Sequence, residues 1–170
     1  MDIFYLGRFD PAHVGHRQTV ELLHEQLVSA STLTVLPVDA YDGALPGRRW
    51  VRSRYASLLI TGLVQARWSE NALQVSHLDE LLRALAGHAP AKVVVDSDLE
   101  CHFQPDGVRV VPAGVELVRA SDALAAAGVT VTTDAARVAT LLRSDPSAGR
   151  QLLVEGAAAV MEQVMAAAGR

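Results

Sequence analysis

Residues 2–16 read Asp2-Ile3-Phe4-Tyr5-Leu6-Gly7-Arg8-Phe9-Asp10-Pro11-Ala12-His13-Val14-Gly15-His16. The apolar run that opens this stretch, stopped by Gly7, predicts a buried strand. Pro11 stiffens the turn that follows. From Val14 to about residue 29 the apolar residues Val20, Leu22, Leu23 and Leu27 recur at helical spacing, which predicts a helix.

The strand-then-helix pattern repeats along the chain. Further strands are expected at 32–38, 92–96, 108–111 and 129–132, with 73–75 a short strand or a connector. Helices are expected from 50 to about 66, at 78–86 before Gly87 and Pro90, at 116–127 before Gly128, and from about 134 to 143. Asp145-Pro146 breaks the chain, and a last helix is expected from about 150 to 168. Asp42-Gly43 and Pro46-Gly47 mark a loop over 39–47. Lys92-Val93-Val94-Val95-Asp96 is a continuous β-branched run of the kind buried on both faces. Alternation of this sort predicts an α/β fold, a doubly wound parallel sheet of about five strands with helices on both faces.

A chain of 170 residues, half of them hydrophobic and 20% charged, suits one domain over 1–170 with a sizeable core. Its C-terminal part, about 134–168, is expected to be helical. No apolar run long enough to cross a membrane and no signal peptide is visible, so a cytoplasmic location and no membrane partner are expected. One cysteine, Cys101, excludes an internal disulfide and a multi-cysteine metal site. The net charge of −4 argues against nucleic acid as a partner. Of the 15 cations, 14 are arginine and only Lys92 is lysine, so any phosphate chemistry must run almost without lysine.

In a doubly wound sheet, ligands bind beyond the carboxyl ends of the strands, which is where Gly7–His16 would lie. A helix start there offers free N–H groups and a positive dipole end to an anion. Gly7 is expected to admit a ligand close to the backbone, and Gly15 to let the first helical turn pack against it. His13 and His16, three apart, share one helix face. Both can donate hydrogen bonds to phosphate oxygens, most strongly when protonated.

Gly7-x-Phe9-x-Pro11-x-His13-x-Gly15-His16 resembles the nucleotidylyltransferase signature G-x-F-x-P-x-H-x-G-H. That signature is shared by nicotinate and nicotinamide mononucleotide adenylyltransferases, phosphopantetheine adenylyltransferase and small cytidylyltransferases. A second stretch, Val131-Thr132-Thr133-Asp134-Ala135-Ala136-Arg137, is similar to the I-S-S-T-x-x-R of adenylyltransferases, with threonines in place of the serines. It is also similar to the S-T-T-x of cytidylyltransferases. Read from its residues alone, it could equally be an N-cap at Thr132 or Thr133 followed by a solvated arginine.

The resemblance implies a Rossmann-like fold and attack of an acceptor phosphate on the α-phosphorus of a nucleoside triphosphate. His13, His16 and Arg137 would be catalytic, stabilising the triphosphate and the leaving pyrophosphate. Gly7, Arg8, Phe9, Asp10, Gly15, Thr132 and Thr133 would bind the nucleotide. The acceptor phosphate would fall to the arginines that follow the second strand: Arg48, Arg49 and, as preferred member, Arg54. Asp96 and Asp98 would stand near the ribose or acceptor, with Asp96 at a position where the family often has glycine. Magnesium would arrive mainly through the triphosphate, and no protein metal site is expected. The best-matching acceptor is nicotinate or nicotinamide mononucleotide. Cytidylyl transfer, a pantetheine-phosphate acceptor, a specialised acceptor, and a non-catalytic nucleotide-binding module on the same fold are the alternatives. A homo-oligomer through the apolar C-terminal helix is also open.

Overall fold

The computed structural model describes residues 1–38, 48–69, 78–100, 110–131 and 133–168, with backbone only at 48–50, 78–79, 98, 100 and 168. Strand β1 (Asp2–Gly7) is central. With β2 (Leu33–Pro37), β3 (Ala66–Trp68), β4 (Ala91–Val95) and β5 (Val115–Arg119) it forms one all-parallel sheet in the order β3-β2-β1-β4-β5. Tyr5 sits in register with Val35 on one side and Val94 on the other.

The unbroken apolar run of β1 follows from burial on both faces. Ile3 and Tyr5 join one core with Leu33, Val35 and Val94, while Phe4 and Leu6 join another with Leu36, Val93 and Val95. Helices α1 (Val14–Glu25) and α2 (Arg48–Leu59) carry the chain from β1 to β3 across the first face, through Val20, Leu23, Tyr55 and Leu59. Helices α3 (Leu78–Leu85) and α4 (Ser97–Glu100) cover the second with Leu81, Leu82 and Leu99. The chain then returns to the first face in α5 (Ala120–Ala126), α6 (Ala135–Ser144), α7 (Pro146–Gln151) and α8 (Ala157–Ala168), which adds Ala120, Val138 and Ala157 to that core. The winding reverses between β1 and β4, the neighbours whose carboxyl ends frame a crevice.

Several sequence expectations are corrected. Helix α2 stops at Leu59, not near 66, because the chain turns through Gly62 in the left-handed region at φ +81 and runs into β3. The segment expected to open a helix at Glu116 is instead β5. Gly114 at φ +78 starts it, and the Val-Glu-Leu-Val-Arg alternation suits a strand at the sheet edge. Neither Val110–Val111 nor Val129–Val131 is a strand; positions 108, 109, 132 and 73–75 lie outside the described residues. The expected single C-terminal helix is two, separated at Leu152–Gly156, where Gly156 has φ +84. Leu152, Val160, Met161 and Val164 pack on the first-face core. Among the described residues no helix is long and apolar enough to cross a membrane.

Candidate functional site

The segment leaving β1 is shaped by its own side chains. Phe9 adopts φ 48 and turns its ring back over the strand end, fully buried against Tyr5 and His16. A Cβ on Gly7 would lie 2.3 Å from that ring. Gly7 therefore makes room for Phe9, not for a ligand, and Phe9 backs His16 from within the core. Ala12 to Val14 then pair with the C-terminal segment: Val14 N–H donates to the Leu152 carbonyl at 2.9 Å and Val154 N–H to that of Ala12 at 3.2 Å.

His13 is the N-cap of α1. Its Nδ1 accepts from the His16 N–H at 3.4 Å, while His16 Nδ1 accepts from the His13 N–H at 3.3 Å. The two rings stack with centroids 3.6 Å apart. This reciprocal cap changes the expected anion site: the Val14 and His16 amides are already engaged, leaving Gly15 as the amide of the first turn that these bonds do not use. A Cβ on Gly15 would meet the Thr133 carbonyl at 2.8 Å, so the missing side chain makes room for a protein contact while the residue itself lines the cavity.

On its far side, His16 Nε2 lies 3.3 Å from Asp96 Oδ2, and the Tyr5 hydroxyl donates to Asp96 Oδ1. Tyr5, His16 and Asp96 are all buried. Asp96, expected beside the ribose or acceptor, thus holds a motif histidine. His13 is buried as well, and its Nε2 has no hydrogen-bond partner among the described residues. Burial, reinforced by the neighbouring His16 and only partly opposed by Asp96, lowers the His13 pKa to about 3. The ring is neutral at physiological pH, so it is not in the protonated form that would donate most strongly. With Nδ1 accepting, the proton sits on Nε2.

His13 forms one wall of a cavity of about 610 Å³, with Gly15, Thr19, Asp96 and Ser97 on its side. The opposite wall is Ala120, Leu124 and Ala125 of α5 with residues 128–131, and Thr133 and Asp134 close it. The cavity lies at the carboxyl edge where the winding reverses, which brings both sequence motifs to one place. Asp134, not a threonine, caps α6, accepting from the Arg137 N–H at 2.7 Å. Thr133 is buried in the wall, Thr132 lies outside the described residues, and Arg137 is an exposed residue in the first turn of α6.

The remaining expectations divide. Arg8 and Asp10 are half-buried in the motif turn. The Arg48, Arg49 and Asp98 side chains lie outside the described residues, and Arg54 is exposed. The buried arginine among the described residues is Arg52, not the preferred Arg54. It donates to the Val38 carbonyl at 3.2 Å and reaches Asp10 at 3.8 Å, tying the end of β2 to the motif turn. Burial, with Asp10 nearby, pushes the Tyr55 hydroxyl above its ordinary range. Sequence reading also missed Tyr5, Ser97, Ser121 and the α5 wall. Tyr5 looked like one more residue of an apolar strand, and 116–127 had been read as one helix.

Among the described residues no three His, Cys, Asp or Glu side chains converge into a metal site. Both Asp96 oxygens are engaged by Tyr5 and His16. A magnesium ion held by the protein does not fit this donor set.

No protein-family model matches this chain, and no curated protein is significantly similar to it.

Proposed function

We propose that this chain is a nucleotidyltransferase, most simply an adenylyltransferase that passes AMP from ATP to the phosphate of a small acceptor. Nicotinate or nicotinamide mononucleotide is the preferred acceptor. The observation that carries this reading is the buried Nε2 of His13, unpartnered among the described residues, on a side chain that lines a cavity of about 610 Å³ at the sheet's switch point. A buried donor without a partner is costly, and a phosphate oxygen would satisfy it.

In the reaction, an acceptor phosphate oxygen forms a bond to the α-phosphorus, and the bond from that phosphorus to the bridging oxygen breaks. Pyrophosphate leaves with the electron pair. His13 Nε2–H and the Gly15 amide donate to the non-bridging oxygens as charge grows there. Arg137, in the first turn of the helix that closes the cavity, takes the pyrophosphate. His16 acts from behind, as the platform on which His13 is stacked. The described lining contains no Lys or Arg, so charge neutralisation falls to arginines whose backbones surround the edge, Arg8 and Arg137, and to counter-ions that travel with the triphosphate.

The test is pyrophosphate release from ATP, CTP, GTP and UTP, each offered nicotinate mononucleotide, nicotinamide mononucleotide or phosphopantetheine. Release with ATP and a mononucleotide is expected. Release only with CTP reassigns the nucleotide. Tight ATP binding with no release from any pair assigns the chain to nucleotide binding without transfer.

A further inference from the structure

We propose that Asp96 and Tyr5 act together as positioning residues that hold the His16 ring in one plane, and through it keep His13 in the single tautomer whose Nε2–H serves the cavity. The inference deepens the reading above and rests on it for its catalytic meaning, although its geometry stands apart from any substrate.

The chain of contacts admits one assignment of protons. The His13 amide can only donate, so His16 Nδ1 is bare and the His16 ring proton sits on Nε2, toward Asp96 Oδ2, while Asp96 Oδ1 takes the Tyr5 O–H. The His16 amide likewise can only donate, so His13 Nδ1 is bare and its proton is on Nε2. The two rings share one reciprocal cap and one stack, and His13 Nε2 is the ring nitrogen without a hydrogen-bond partner among the described residues.

The same contacts set the planes of the rings. Phe9 meets the His16 ring edge-on at 85° and His13 covers it at 21°. The hydrogen bonds at Nδ1 and Nε2 fix which way the ring faces. Asp96 is the bond at the far end from the cap. It is fixed by the β4 register, which sets Val95 opposite Leu6, and by its own N–H donating to the Leu6 carbonyl at 2.8 Å. Tyr5, one residue before Leu6 on the central strand, anchors the carboxylate from below. Without this end the His16 ring is free to swing, the His13 amide loses its acceptor, and the His13 ring can turn over.

The readout is the ¹⁵N spectrum of the histidine rings in the full chain without substrate, with His13 signals assigned by their loss in His13→Asn. Wild type should show His13 as the pure Nε2–H tautomer from about pH 5 to 8. Asp96→Ala should give His13 about a tenth or more of the other tautomer and lower turnover about 10- to 100-fold, the usual scale for removing a group that orients a working histidine. Asp96→Asn keeps an oxygen acceptor in place and should restore the wild-type spectrum. A folded Asp96→Ala with an unchanged His13 spectrum overturns the proposal, as does an Asp96→Asn spectrum equally disturbed. If Asp96→Ala does not fold, Tyr5→Phe decides: a second His13 tautomer upholds the proposal, and the wild-type spectrum overturns it. Because the spectra need no substrate, a disturbed spectrum in a chain that transfers no nucleotide counts against the enzyme reading alone. An undisturbed one in an active enzyme counts against the positioning role alone.

Discussion

The imidazoles of His13 and His16 stack with centroids 3.6 Å apart and planes 21° from parallel, and each accepts the other's backbone N–H. Three residues apart in sequence, they have different work. His16 is wedged between Phe9, His13 and Asp96 with both ring nitrogens engaged. His13 keeps Nε2.

This division makes His13→Asn the informative active-site variant. Asparagine is a good N-cap and can accept the His16 amide, so the helix start survives. The imidazole donor is lost. Pyrophosphate release should fall about 100- to 1,000-fold, the scale of losing one oxyanion donor. His16→Ala, by contrast, empties a buried site and should lower stability as well as rate. Near-normal turnover in a folded His13→Asn protein would remove His13 from the reaction.

The lowered pKa of His13 also predicts how stability depends on pH. Its ordinary value is 6.5 and burial brings it to about 3. Between these values the unfolded chain binds a proton that the folded chain refuses, so stability rises with pH across this window. The contribution is complete above 6.5 and is lost as pH falls toward 3, by at most about 1.4 kcal/mol per pH unit. Urea unfolding of wild type and His13→Asn at several pH values measures it. The wild type should lose more stability on acidification, and parallel curves would contradict the burial of a neutral imidazole.

Gly15→Ala places a methyl 2.8 Å from the Thr133 carbonyl and 3.1 Å from the His13 ring. Although alanine favours helix, the clash is with backbone and should cost about 1–3 kcal/mol of unfolding free energy. Gly87→Ala, with nothing within 4 Å, should stay within about 0.5 kcal/mol of wild type. Denaturant midpoints of the two variants give the comparison. Equal midpoints would mean that α1 and the 133 segment are not in contact.

Arg52→Met keeps most of the side chain's bulk but removes its bond to Val38 and its pairing with Asp10. A loss of about 1–3 kcal/mol is expected, with weakened substrate binding because the motif turn loses its tie to β2. Arg54→Met, at an exposed position, should leave stability within about 0.5 kcal/mol. If Arg54 serves the acceptor, that variant raises the KM for the acceptor alone. Binding titrations alongside chemical denaturation separate the two arginines.

The layered α/β architecture was legible in the alternation of strand and helix patterns along the chain, and residues 2–16 marked the strand end and helix start that frame the candidate cavity. Lys92, the one lysine, lies near the start of β4, at the end of the sheet opposite the cavity. The edge strands were not legible. Ala66–Trp68 is too short to show a period, and Val115–Arg119 carries an alternation that a helical reading of 116–127 absorbed. Hydrophobic spacing reports burial of a face, and an edge strand buries too little to declare itself.

The roles inside the site depend on distances in space. Local sequence was enough to bring two histidines to one helix start. Asp96 lies 80 residues from His16, and Tyr5 lies 91 from Asp96; only the parallel register of β1 and β4 puts the three within reach. That register turns an aspartate expected to meet substrate into the support of a histidine. The reciprocal cap and the contact with Leu152 engage the His16 and Val14 amides of the helix start, and His13 Nε2 is left without a hydrogen-bond partner among the described residues.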